Sequence, residues 1–237
     1  MPRLHARTVI VFTAAVLVCP HFGARAADDS LEAVFRRMDQ ASRTFKSLKA
    51  NMRKVKHTSF VNEDDVNEGT IKVKVPKPGN FQVLIDFREP DAKKLALDGV
   101  KVEIFYPKQN AVEQYDLGRS HKAQVEQFVL LGFGSNSRDI QSAYTVKYGG
   151  SETVDKEQTT RIELYPKSEE VKSTFPKFEL WIADKSGISI QQKAYEPGEK
   201  DYSLATYTNL QINAPIADSE MKLNAPRDAK RVRPQRD

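Results

Sequence analysis

The feature that most constrains the fold of this 237-residue chain is a change in the period of its apolar residues. Near the start, Leu31, Val34, Phe35, Met38, Ala41 and Phe45 recur at helical spacing, and Glu32 is placed to pair with Arg36 one turn on. Asp29-Ser30-Leu31-Glu32 resembles a capping box, so the spacing predicts a helix over about 30–47 with one buried stripe. Beyond it the period falls to two. Ile71, Val73 and Val75 alternate with Lys72 and Lys74, and Phe81, Val83, Ile85 and Phe87 alternate with Gln82, Leu84, Asp86 and Arg88. A two-residue period puts one set of side chains on a buried face and the other in water.

Turn chemistry punctuates these runs. Pro76 to Asn80, Glu89-Pro90-Asp91, Asp98-Gly99, Pro107 to Asn110, Gly149-Gly150, Asp184 to Gly187 and Pro197-Gly198 each separate alternating segments. Leu95 and Leu97, then Val100, Val102, Ile104 and Tyr106, then Val112 to Leu117, continue the meander. Tyr144 to Tyr148, Thr160 to Tyr165, Phe178 with Leu180 and Ile182, Ile188 to Tyr195 and Tyr202 to Ile212 repeat the pattern, with a polar excursion at 167–174. Many short strands with one apolar face each predict an antiparallel sheet curled toward a barrel or sandwich. One segment breaks the rhythm: Ser120 to Leu131 carries Val125, Phe128 and Val129 at helical spacing and runs into Gly132-Phe133-Gly134. It reads as an apolar helix with a glycine hinge, inserted where it could cover the open side of the sheet.

The ends read differently. Arg3, His5 and Arg7 precede the uncharged run Thr8 to Val18, and Ala24-Arg25-Ala26 is a small-residue cleavage site. Residues 1–26 are therefore expected to be a cleaved export signal, because Pro20 and His21 interrupt the apolar run short of the ~20 residues a spanning helix needs. Cys19, the only cysteine, falls inside that segment, so a mature periplasmic chain would hold neither disulfide nor thiolate site. Removing Arg3, Arg7 and Arg25 lowers Lys+Arg from 37 to 34 against 32 Asp+Glu, a charge near +2, which gives no footprint for nucleic acid. Residues 27–226 are expected to form one domain, and the basic stretch 227–237 a disordered, solvated tail.

No catalytic constellation is legible. His57 and His121 are the only histidines beyond the signal, and neither has a metal-ligand spacing. No nucleophile elbow, P-loop or dinucleotide fingerprint occurs, and Glu63-Asp64-Asp65 lacks the spacing of a calcium loop and reads as a solvated hairpin tip. The expectation is a protein without enzymatic activity, cofactor or metal.

Across Leu31 to about Val232 the organisation resembles the LolA family of periplasmic lipoprotein carriers. The likeness is carried by Phe45-Lys46-Ser47-Leu48-Lys49-Ala50 at the helix exit, Gly69 to Lys74, and Lys77-Pro78-Gly79-Asn80-Phe81. It continues through Asp98-Gly99 to Tyr106-Pro107, Leu180-Trp181-Ile182-Ala183-Asp184 with Gly187, and Tyr207 to Asn213 with Pro215-Ile216. The resemblance implies a mainly β fold with some α: an open antiparallel half-barrel with helices covering its concave face.

It also implies a monomeric carrier that holds acyl chains of lipoproteins, or of lipids, in a hydrophobic cavity. Such a carrier moves cargo from an inner-membrane donor complex to an outer-membrane acceptor, without a chemical step. Exposing an acyl chain to water costs ~0.8 kcal/mol per CH₂, so a carrier needs a continuous apolar wall and a movable cover. Phe81, Val83, Ile85, Phe87, Val102, Ile104, Phe178, Leu180 and Ile182 are the candidate wall; Phe35, Met38, Phe128, Leu131 and Phe133 are the candidate cover. Lys77 stands where the family places a lid-related arginine, keeping the charge without the planar fork of donors. Two alternatives remain: a carrier of a non-lipoprotein lipid, and a regulatory sensor that binds a signalling protein.

Overall fold

The computed structural model describes residues 30–77, 80–118 and 131–234. Ser30 caps the first helix, its Oγ accepting from the Ala33 N–H, so α1 spans Leu31–Thr44 and buries Ala33, Val34 and Met38. The cap lies one residue later than the capping box suggests. The helix also ends three residues before the predicted 47, because Phe45 is already extended.

Twelve strands follow in one open sheet: β1 (Ser47–Thr58), β2 (Glu63–Lys77), β3 (Asn80–Glu89), β4 (Lys93–Asp98), β5 (Lys101–Tyr106), β6 (Ala111–Asp116), β7 (Tyr144–Val154), β8 (Glu157–Pro166), β9 (Lys177–Ala183), β10 (Ser189–Tyr195), β11 (Tyr202–Ile212) and β12 (Lys230–Val232). Their order is β12-β6-β5-β4-β3-β2-β1-β11-β10-β9-β8-β7, antiparallel except that β12 runs parallel to β6. Two meanders, β1–β6 and β7–β11, are thus joined by the long-range β1–β11 pair. Among the described residues the sheet does not close into a barrel and no second sheet forms a sandwich with it. Two short helices go beyond the sequence pattern: α2 (Ser137–Ala143) before β7, and α3 (Glu169–Thr174) within the polar excursion.

Local departures have local causes. Gly149-Gly150 is not a turn; β7 runs through it with a bulge between Tyr148 and Gly150, and the reversal falls at Asp155-Lys156, both at positive φ. Glu63, Asp64 and Asp65 lie in β2 rather than at the hairpin tip, which is residues 59–62 with Phe60 almost wholly exposed.

Within 227–232, Ala229 is buried and Lys230–Val232 form β12, whose side chains stay exposed. Residues 214–232 strap the outer face of β3–β6, where Ile216 and Met221 pack on Leu84, and Leu223 and Ala229 pack on Phe105 and Val112. Glu220 bridges Lys49 and Lys72, each at 3.1 Å, and β12 then covers the β6 edge. Composition shows only the basic residues of this stretch. Its small apolar ones, Leu223, Ala225 and Ala229, are what bind it to the sheet.

Candidate functional site: the inner face of the sheet

Residues directly opposite across neighbouring strands share a face, so the register defines the inner face. On β3 it carries Phe81, Val83, Ile85 and Phe87; Ile71 and Val73 lie opposite on β2, then Leu48 and Ala50 on β1. In the other direction Val83 meets Leu97 and Ile85 meets Leu95, which in turn face Val102 and Ile104. Across β11 the same face continues as Tyr207 and Ala205, Gln192, Leu180, Ile162 and Tyr148.

This face is packed as two clusters. One joins Val34, Met38 and Leu131 to Ile140, Tyr144, Ile162, Leu164, Phe178, Leu180 and Ile182, with Phe35 against it. The other holds Leu48, Ala50, Met52, Ile71, Val73, Phe81, Val83, Phe87, Leu97, Phe133 and Tyr207, with Ile85, Leu95 and Val102 partly buried at its margin. The candidate residues therefore divide. Phe178, Leu180 and Ile182 lie with the cover residues Phe35, Met38 and Leu131 in a closed α1–β7–β9 core. Phe81, Val83 and Phe87 are buried in the cluster that also holds Phe133, while Ile85, Val102 and Ile104 remain half-buried on β3 and β5. Phe128 and the helix predicted over 120–131 lie outside the described residues, apart from Leu131. Lys77 is exposed at the last position of β2.

The cover is attached asymmetrically. Arg37 Nη2 donates to Thr160 Oγ1 and Asp184 Oδ1, both at 2.9 Å, and Asp39 accepts from the Ser137 backbone and hydroxyl of α2. Gly132 is not a free hinge: its carbonyl accepts from Ser189 N–H at 2.8 Å, and the Leu131 carbonyl accepts from Gln192 Nε2 at 2.7 Å. Phe133 then turns over the sheet, edge-on to Tyr207 at 4.9 Å. Buried Tyr207 keeps its phenol protonated well above the usual range because burial disfavours the phenolate, and it donates to Gln192 Oε1. Toward β2–β5, in contrast, α1 and the 131–134 segment present Ala41, Phe45 and Phe133 to the second cluster. Arg37, Leu131 and Gly132 are anchored to the β8–β10 half, and Asn213 Nδ2, just after β11, donates to the Thr44 carbonyl at 2.9 Å, whereas Ala41, Phe45 and Phe133 meet the other half as apolar side chains.

The apolar character of the inner face stops along the strands. On β1 the inward series Leu48, Ala50, Met52 continues as Lys54 and Lys56; on β4 Leu97 and Leu95 are followed by Lys93; on β2 Asn67 follows Gly69. The sequence reading passed over this border, although Leu48, Ala50, Met52, Lys54 and Lys56 stand at strict period two and could have shown it. The open groove lined by Arg53, Glu68 and Arg88 mixes charged side chains with apolar surface from Met52 and Val154. Among the described residues no group of three His, Cys, Asp or Glu side chains is placed to hold a metal. His57 stacks on Tyr202 at 4.9 Å and contacts Asp64 at 2.8 Å.

Comparison with known proteins agrees with this geometry. An uncharacterised conserved protein from Thermus thermophilus superposes with a TM-score of 0.54 at 11% identity, covering 86% of this chain and 98% of that one. MucB superposes with a TM-score of 0.51 at 11% identity over 81% of this chain, which spans only 62% of MucB. No curated protein sequence matches the chain. The family model described as outer membrane lipoprotein carrier protein LolA matches residues 43–224, most of the chain and nearly all of the sheet. The chain belongs to the LolA family.

Proposed function

We propose that the mature chain is a periplasmic, non-enzymatic carrier. It takes acyl chains of lipoproteins or lipids onto the inner face of the sheet and moves them from the inner to the outer membrane. The observation that carries this reading is the asymmetry of the cover. Ligand entering between the cover and β2–β5 separates apolar surfaces, and the polar anchors to Thr160, Asp184, Ser189 and Gln192 stay in place. The half-buried Ile85, Leu95, Val102 and Ile104 then supply the wall against which a chain lies. Each CH₂ so covered is worth ~0.8 kcal/mol, so affinity for a long chain needs no polar contact.

The test is native mass spectrometry of protein purified from a periplasm, together with uptake of a fluorescent acyl probe. Bound acyl-containing cargo, and probe binding that Ile85→Asp weakens at least tenfold with the circular dichroism spectrum unchanged, are the expected results. Ile85 is the position to change because Phe81 is fully buried and a charge there would unfold the protein. A correctly folded protein that arrives empty and takes up no probe would overturn the carrier reading and favour a protein-binding role.

A further inference from the structure

The inner face is amphiphilic along the strand direction, and its polar border holds Lys54, Lys56 and Lys93 beside Asn67 and Asp65. Lys54 lies on the same face as Met52 and Ala50, paired in register with the buried Asn67 on one side and Ala205 on the other. Lys93 lies opposite Phe87 and sits over its ring at 5.5 Å. Between them, on β2, Gly69 places no side chain on the face; a Cβ there would lie 2.1 Å from the Asp86 carbonyl oxygen.

Lys54 feels the charge of Lys93. Burial, then Lys93, then Lys56 lower the pKa of Lys54, against opposing attraction from Asp65 and Glu196. Both of those carboxylates are otherwise engaged: Glu196 is paired with Lys56, and Asp65 accepts from Asn67 Nδ2 at 3.0 Å. Among the described residues no carboxylate lies within ion-pair distance of Lys54 or Lys93. Lys54 is half-buried beside two other ammonium groups, and an anion placed between Lys54 and Lys93 adds an attraction that Asp65 and Glu196, already engaged, supply only in part.

We infer that Lys54 and Lys93 form the head-group end of the acyl-chain site and bind the phosphate of an anionic phospholipid, whose chains run from there onto Met52, Phe87 and Ile85. The inference rests on the acyl-chain reading above and narrows it. A diacylglyceryl anchor joined to a polypeptide carries no phosphate and would leave the two lysines unmatched, so the cargo class favoured is phospholipid. Charge-assisted hydrogen bonds to phosphate are among the stronger polar contacts, and lysine supplies them as a mobile point charge.

The mature chain is titrated calorimetrically with dihexanoyl phosphatidylglycerol, with dihexanoylglycerol and with glycerol phosphate. Phosphatidylglycerol should bind about tenfold or more tighter than the neutral diacylglycerol, as expected for charge-assisted contacts in a partly buried site, and glycerol phosphate should not bind measurably. The double variant Lys54→Met/Lys93→Met should lose the preference while keeping the neutral lipid, and Lys54→Arg/Lys93→Arg should retain it. Equal binding of the two lipids by the natural chain, or a preference that survives the double Met variant, would overturn the head-group site and leave the acyl-chain reading standing. Binding of glycerol phosphate as tight as that of the lipid would overturn it too, by showing a phosphate site unrelated to acyl chains. Binding of neither lipid would overturn both.

Discussion

Arg37 on α1 and Asp184, just beyond β9, meet at 2.9 Å across 147 residues of chain, and Thr160 donates to the same carboxylate oxygen. Both side chains are about four-fifths buried, so the pair is partly shielded from solvent. It ties the helix to the half of the sheet that α1 covers. Replacing Arg37 by Ala leaves the Asp184 carboxylate, among the described residues, with the Thr160 hydroxyl alone and should cost about 2 kcal/mol, the range for a lost charge-assisted bond with a stranded partner. Urea unfolding followed through Trp181, the single tryptophan, measures it. If the cover is what limits ligand access, acyl-probe association should also quicken.

Gly187 tests the same seam from the sheet side. Its φ is +68°, and an added Cβ would come 2.4 Å from the Arg37 carbonyl oxygen. Gly187→Ala therefore combines a left-handed backbone with a clash against helix backbone. It should destabilise by more than the roughly 1 kcal/mol that left-handed strain alone costs. Gly99, at φ +61° with open space around it, is the control: Gly99→Ala carries the strain without the clash, and thermal melts of the two should differ accordingly.

The strap is an acid-sensitive element. Glu220 accepts from the Ala217 backbone and from Lys72 and Lys49, which together hold its carboxyl down to about 2. A carboxylate depressed in the folded state contributes stability above its unfolded pKa of 4.5 and loses it as pH falls through the folded value. The melting temperature of Glu220→Gln should accordingly lie below that of the natural chain at neutral pH. The two should converge between about pH 4.5 and pH 2, measured by calorimetry across that range.

What could be read from the sequence follows from which forces are local. Alternation exposed β2, β3, β5 and β9 together with their inward residues, because a two-residue period writes the buried face directly into the chain. The β1–β11 pairing that joins the meanders, and the parallel β12–β6 contact, depend on residues more than a hundred positions apart and leave no periodic trace. The division of the wall into a closed core under α1 and a half-buried stretch on β3–β5 was hidden for the same reason. Phe178 and Ile85 look alike in a strand pattern, and only the helix lying over one of them makes them different. Lys54 was legible in the same alternation, but a pattern followed through its apolar residues passes over it; a lysine at an inward position is the informative exception.

That lysine yields the prediction that bears most directly on function. In the folded protein the Lys54 pKa is lowered, chiefly by burial and then by Lys93, from an unfolded value of 10.5. The sign is opposite to that of a paired lysine: below the folded pKa the ammonium is held at a cost, and the cost disappears as pH rises toward 10.5. Lys54→Met keeps the stem that lies along the inner face and removes the charge. The variant should therefore melt higher than the natural chain at pH ~7, with the gap closing toward pH 10.5. An ammonium held at such a cost gains more from a bound anion than a fully solvated one would. Saturating phosphatidylglycerol should raise the melting temperature of the natural chain by more than that of Lys54→Met and so narrow the difference.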